Sequence, residues 1–222
     1  NWILAQDKIN LDNKIKFFKT HQGKYTIGED NFTNEENTKA VIYVVRDPRN
    51  VITSISNHYT LSIKDSLKFM LSDTIIGNQK SFEESHREKK SGILTLLGKW
   101  NNHYRSWTRK KDNLLLIKYE DLVLNPKSEI MKISSFLKKY IDFEVNENKY
   151  NNILRTTAFE NLKKMENEEP FKESVLNKET ESKVNFFNLG PNNKWQNKLD
   201  QDVVEIIEEN FKREMTEIGY LR

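Results

Sequence analysis

Cysteine is missing altogether from the 222 residues. Disulfides, thiolate catalysis and thiolate metal sites are therefore excluded. The chain suits a reducing compartment, and a cytoplasmic location is the expectation. Glycine is scarce, with seven residues in all. Neither G-x-x-x-x-G-K-[ST] nor G-x-G-x-x-G occurs, so an ordinary nucleoside-triphosphate loop is absent from this chain. No apolar run is long enough to span a bilayer, no signal peptide is visible, and no membrane partner is expected. A large excess of one charge is lacking too: 36 basic and 33 acidic residues leave +3, mixed along the chain. That is too weak and too dispersed for a nucleic-acid binder, and it is compatible with small anionic ligands. His58, His86 and His103 show no metal-ligand spacing, so no metal is expected.

Charged residues make up 31% of the chain, which implies one economical core under a charged surface. The length fits a single domain over residues 1–222. Its centre is the stretch AVIYVVRDPRNVITSISNHY, residues 40–59. Val41-Ile42-Tyr43-Val44-Val45 reads as a strand covered on both faces, as in a parallel sheet. Arg46 follows at its carboxyl end. Asp47 suits a helix cap and Pro48 its first turn. That helix would turn Val51, Ile52, Ile55 and Tyr59 inward and present Arg49, Thr53 and Ser54 in its first turns.

The remaining pattern places a short strand at Ile15-Lys16-Phe17-Phe18, ending in Lys19-Thr20-His21. Residues 22–39 read as a loop and residues 63–71 as a short helix. Residues 72–90 read as a polar excursion. Apolar residues at 93, 96, 97, 100, 104 and 107 recur at helical spacing, which predicts a long helix over 85–109. Leu114-Leu115-Leu116-Ile117 is the third strand, ending in Tyr119-Glu120-Asp121. Asn125-Pro126 starts a helix with Ile130, Ile133, Phe136 and Leu137 on one face. Helices follow at 148–154 and 160–169, and a last one at 200–217 stops near Gly219. Alternation of this kind argues for an α/β fold with a parallel sheet, in which ligands bind beyond the carboxyl ends of the strands. Three strand ends would then bring Lys19 with His21, Arg46, and Tyr119 with Asp121 to one sheet edge.

Lys19 and His21 stand two apart, so on a strand they share a face. A histidine there can take a proton near neutral pH, and a lysine beside it can stabilise a developing negative charge. An exposed lysine beside a histidine bonded to backbone is the plainer reading of the same pair. Arg46, the helix start and Ser54 describe an anion site, most simply for a phosphate. Charge-assisted hydrogen bonds contribute about 1.5–3 kcal/mol each. Two of them separate a nucleotide with that phosphate from one without it by on the order of a hundredfold or more. The plainer alternative is that Arg46 and Asp47 merely pair. Tyr119, Thr157 and Phe159 could enclose an aromatic base, or serve as ordinary core and rim residues. Trp100, Trp107 and Trp195 read as core.

Four stretches resemble sulfotransferases that use 3′-phosphoadenosine 5′-phosphosulfate (PAPS). They are F-K-T-H at 18–21, Y-V-V-R-D-P-R-N-V-I-T-S at 43–54, G-K-W-N-N-H-Y-R-S-W followed by L-L-L-I-K-Y-E-D-L-V-L-N-P, and the pair T-T-A-F and F-F-N-L-G-P-N-N-K-W. The resemblance covers the chain from about Ile15 onward. It implies the family's three-layer α/β/α fold, P-loop-like, with a central parallel sheet flanked by helices. It implies His21 as the base that deprotonates an acceptor hydroxyl, with Lys19 beside the sulfuryl group. Arg46 and Ser54 would bind the 3′-phosphate. Tyr119, Thr157 and Phe159 would contact adenine, and Gly190 would lie in the phosphate loop. PAPS would be the donor, 3′-phosphoadenosine 5′-phosphate (PAP) the product, and a small-molecule or carbohydrate hydroxyl, or an amine, the acceptor.

Two departures from the family pattern carry expectations. Nothing before Ile15 resembles the family's P-K-S-G-T-T-like loop, which implies a chain truncated at its N-terminal side. Asn188-Leu189-Gly190 stands where many relatives have R-K-G, so the phosphate site leans on Arg46, with Arg49 or Lys194 as candidate replacements. A non-catalytic nucleotide-binding or scaffold protein is the alternative from a different class. A kinase is disfavoured by the absent phosphate loop and the lack of a metal-binding carboxylate cluster.

Overall fold

The computed structural model describes residues 2–12, 14–76, 94–109, 112–169, 171, 174–177 and 180–222. The α/β class expected from the alternation is the one found, with helices and a central parallel sheet in the three-layer arrangement. The chain divides into two compact units, Asn1–Tyr43 with Phe69–Leu114, and Val44–Lys68 with Leu115–Arg222.

The first unit begins with helix α1, Trp2–Ile9. The edge of its Trp2 ring meets Phe32, whose ring in turn meets Trp107 at 6.0 Å between centroids. Two hairpins lie in this unit. Strand β1, Thr26–Ile27, pairs with β2, Asp30–Asn31, across Gly28. Strand β4, Ile75–Ile76, pairs with β5, Thr95–Leu96. Between them in sequence come strand β3, Val41–Val45, and helix α3, Ile63–Leu71, which each run through both units, and helix α2, Pro48–Tyr59, which belongs to the second. Helix α4, Trp100–Thr108, buries Tyr104 and Trp107.

Two expectations fail in this unit. Residues 15–18 are not a strand: they are irregular, and Phe17 and Phe18 are exposed. A strand exists only through its ladder, and none forms there among the described residues. The long helix expected over 85–109 is only α4 among the described residues; the part over 85–93 lies outside them. Gly98 adopts φ +65°, which a right-handed helix does not accommodate. The N–H groups of Leu97 and Gly98 both donate to the carbonyl of Thr74, at 2.9 and 3.0 Å. These bonds, with the pairing of β5 to β4, hold residues 95–98 out of a helix despite their helical apolar spacing.

Strand β3 hydrogen-bonds to β6, Leu114–Lys118, in the central sheet. The expectation that β3 is covered on both faces is corrected. Val45 is buried, but Ile42 and Val44 point to the opposite face and are exposed, Val44 by 52%.

The second unit carries helices α5, Tyr119–Leu124; α6, Pro126–Leu137; α7, Glu147–Thr156; α8, Phe159–Glu168; and α9, Gln201–Ile218. A small hairpin, β7 (Val175–Leu176) with β8 (Lys183–Val184), follows α8. The local signals decide where α2 and α9 begin and end. Asp47 caps α2 by accepting from the N–H of Arg49, with Pro48 at the first position. Gly219 ends α9 at φ +85°, while the N–H of Tyr220 donates to the carbonyl of Met215. Ile52 from α2, Ile117 from β6, and Ile207, Phe211 and Met215 from α9 are fully buried. Each contributes about 1.5–3 kcal/mol relative to exposure. Tyr59, expected to turn inward, is exposed at the end of α2.

Candidate nucleotide-binding site

Strand β3 and helix α2 are joined by Arg46 and Asp47, so a strand end and a helix start meet at one corner. Arg46 is held there on three sides. Its Nη1 donates to Ser54 Oγ at 2.9 Å, and its Nη2 donates to the carbonyl of Gly190 at 3.4 Å. Its guanidinium carbon lies 4.4 Å from the centre of the Tyr119 ring. Its Nε is buried and has no hydrogen-bond partner among the described residues. A buried, unused N–H on a cation is costly unless something accepts from it, and an anion is the natural acceptor. Tyr119 reaches this corner because α5 starts directly after β6.

Gly190 opens the short turn Gly190–Asn192 at φ +51°. A Cβ placed on it would stand 2.1 Å from Cε2 of Phe159, so only glycine allows the loop to lie against that ring. Phe159 begins α8 and meets Phe187 edge-on. The structure therefore brings Arg46, Ser54, Tyr119, Gly190 and Phe159 into one connected cluster. Thr157 is exposed, and its hydroxyl donates to the carbonyl of Ile153 at 2.7 Å.

Asn50, Thr53 and Asn193 also belong to this corner, and sequence reading missed Asn50 and Asn193. The buried Asn193 donates from Nδ2 to the carbonyl of Asn50 at 3.0 Å and pairs with Thr53. Asn50 Oδ1 accepts from the N–H of Trp195 at 3.0 Å. These bonds tie residues 193–195 to the first turns of α2. The available signal was the polar side of α2 facing a segment rich in asparagine.

Arg49 does not supply the replacement cation. It is 8% exposed and faces away into an ion-pair network. Its Nη2 lies 2.7 Å from Asp47 Oδ2 and its Nη1 2.5 Å from Glu208 Oε1, while its guanidinium stacks 4.3 Å from the centre of the Trp195 ring. Burial alone would weaken its charge, but Asp47 and Glu208 outweigh that and raise its pKa. Asp47 thus pairs with Arg49, and the plain Arg46–Asp47 pair considered from sequence is not formed. Lys194 is exposed beside this network.

Lys19 and His21 lie in the first unit, both exposed, on the irregular segment. The argument that they share one face of a strand therefore falls. His21 is nevertheless anchored through its backbone, since its carbonyl stands 3.1 Å from Nε2 of His103. Gln22, next in sequence, is 5% exposed. Its carbonyl accepts from Trp107 Nε1 at 3.0 Å, and its Oε1 accepts from the N–H of Leu96 at 2.8 Å. A groove on α6, lined by Ser128, Met131, Lys132 and Ser135 among others, contains none of these residues.

A family model described as the sulfotransferase domain matches residues 4–219. Sulfotransferase 1 family member D1 of Mus musculus is 28% identical over 183 residues, 81% of this chain and 56% of that protein. Amine sulfotransferase of Oryctolagus cuniculus is 28% identical over 160 residues, 70% of this chain and 47% of that protein. The chain thus spans about half the length of these curated relatives. Among solved structures, mouse sulfotransferase SULT7A1 complexed with PAP is similar in fold, with a TM-score of 0.51 at 21% identity over 79% of this chain and 58% of that one.

Proposed function

Because the chain belongs to the sulfotransferase domain family, we propose that it transfers the sulfuryl group of PAPS to a hydroxyl or amine of a small-molecule or carbohydrate acceptor, with PAP as product. The observation that carries this reading is Arg46. Two of its nitrogens are bonded, its face is stacked on Tyr119, and its buried Nε is left without an acceptor among the described residues. The residues present fit the donor, since an orphaned cationic N–H suits its 3′-phosphate and the Gly190 cradle keeps the loop against Phe159.

Arg46 and Ser54 hold the 3′-phosphate. Tyr119 and Phe159 face the adenine. Thr157 joins them as an acceptor only, because its hydroxyl proton is already donated to Ile153. When bound, PAPS supplies an activated sulfuryl group. His21 takes the acceptor proton as the acceptor atom bonds to sulfur and the phosphate-linked oxygen leaves. Lys19 stabilises the charge that develops on that leaving oxygen.

The test is calorimetric titration with PAP and with 5′-AMP, on the chain and on Arg46→Ala, followed by a transfer assay with PAPS over hydroxyl and amine acceptors. The expected result is a preference for PAP of on the order of a hundredfold, abolished in Arg46→Ala. No preference for PAP would overturn the donor site. Selective PAP binding without transfer to any acceptor would leave the non-catalytic nucleotide-binding reading in its place.

A further inference from the structure

His103 is a half-buried titratable side chain for which the donor site gives no role. It sits on α4 between two partners. On one side, Tyr43 of β3 places its hydroxyl 2.8 Å from Nδ1 of His103. On the other, Nε2 lies 3.1 Å from the backbone carbonyl of His21. A carbonyl only accepts, so Nε2 must carry the proton. The neutral ring then has its lone pair at Nδ1, and the Tyr43 hydroxyl must donate to it. Each bond fixes the direction of the other, and the tautomer follows from the geometry alone.

Helix α4 grips the same segment at two further points. His103 and Trp107 are four residues apart, on one face of the helix. They hold two successive carbonyls, those of His21 and Gln22. Between them in sequence, Ser106 Oγ accepts from the N–H of Lys24 at 2.9 Å. A segment that forms no strand ladder among the described residues is thus bonded to helix side chains, and the N–H of Gly23 donates to the carbonyl of Leu96 at 2.9 Å.

We propose that His103, held as its Nε2–H tautomer by Tyr43, is the positioning residue that fixes the His21 backbone and so the direction in which the His21 imidazole is presented. This rests on the reading of His21 as the base. In this role His103 acts through His21, by its bond to the His21 carbonyl. Burial holds its pKa below the ordinary value and outweighs the bond to the His21 carbonyl, while the His21 ring adds repulsion. The ring therefore stays neutral, as the role requires.

Long-range proton–nitrogen NMR on the labelled chain reads the tautomer directly, with His103→Gln assigning the signal. The expected outcome is a protonated Nε2 and a bare Nδ1 at neutral pH. In His103→Leu, the His21 ring signals and the Gln22 and Gly23 amides should shift or broaden while those of Phe211 and Met215 stay in place. His103→Gln keeps a donor near the same point and should restore the native pattern. Tyr43→Phe loses only one oxygen and should perturb the His21 signals in the same sense, by less.

In the transfer assay, His103→Leu should lower kcat about ten- to a hundredfold, the effect of a misplaced reacting group, with KM little changed. An Nδ1–H tautomer, or an unaltered His21 in His103→Leu, would overturn the proposal. Native transfer by His103→Leu would overturn it too while leaving the sulfotransferase reading intact. The predicted tautomer without any transfer by the unaltered chain would instead count against that reading.

Discussion

Arg46 and Arg49 are three residues apart and have opposite fates. The Arg46 guanidinium lies 4.4 Å from the centre of the Tyr119 ring, with a buried nitrogen that has no acceptor among the described residues. Arg49 lies on the Trp195 ring with its charge taken up by Asp47 and Glu208. One arginine is left available to a ligand, and the other is part of the framework.

Arg46→Lys tests the first role. Lysine keeps the charge but loses the planar fork and the ring stacking. PAP affinity should fall about tenfold, one lost bond at about 1.5 kcal/mol, with 5′-AMP affinity little changed. Calorimetry on both ligands measures it, and an equal loss for both would mean that Arg46 does not face the 3′-phosphate.

Arg49→Ala tests the second. It leaves Asp47 and Glu208 without their cation. Breaking a fully buried pair costs about 3–5 kcal/mol, and the Glu208 side chain is 32% exposed. A loss at or just below the bottom of that range, about 2–3 kcal/mol, is expected in urea denaturation. The ratio of PAP to AMP affinity in the folded protein should be unchanged.

Gly190→Ala combines a left-handed backbone with a clash. The backbone term is about 1–2 kcal/mol, and the Phe159 ring must also move, since the new Cβ would stand 2.1 Å from it. Denaturation should show a larger loss than the backbone term alone. In Gly190→Ala with Phe159→Ala, the combined loss should be smaller than the sum of the single losses, because the clash is gone. Strict additivity would show that the two residues do not meet.

Glu166 gives a pH prediction. Burial alone would raise its pKa, but its carboxylate accepts from Ser174 Oγ and from the N–H groups of Phe187 and Phe186, and the net pKa is lowered from the ordinary 4.5. As pH falls, the unfolded chain takes up the proton first. The stabilisation is therefore complete above about pH 4.5 and is lost as pH falls through the lowered folded value. The stability difference between the native chain and Glu166→Gln should shrink on acidification in that window. A constant difference across it would rule out the lowered pKa.

Sequence alone determined the elements whose signals are local. Strand β3, the cap and first turn of α2, the span of α3, and the Gly219 stop of α9 depend on residues within a turn of one another, and each is read off a short stretch. The candidates Arg46, Ser54, Tyr119, Phe159 and Gly190 were also legible, as residues that recur in a known pattern. Tertiary structure decided what depends on distant partners. Residues 15–18 have strand composition, but β structure needs a ladder, and helix α4 holds the adjoining segment by side chains instead. The apolar spacing of 93–107 looks helical, but Thr74 accepts from two N–H groups of that stretch and Gly98 turns left-handed. Nothing in the stretch R-D-P-R says which arginine is buried. That choice is made by Glu208 and Trp195, far along the chain, which offer Arg49 a carboxylate and a ring and leave Arg46 to face the loop at Gly190.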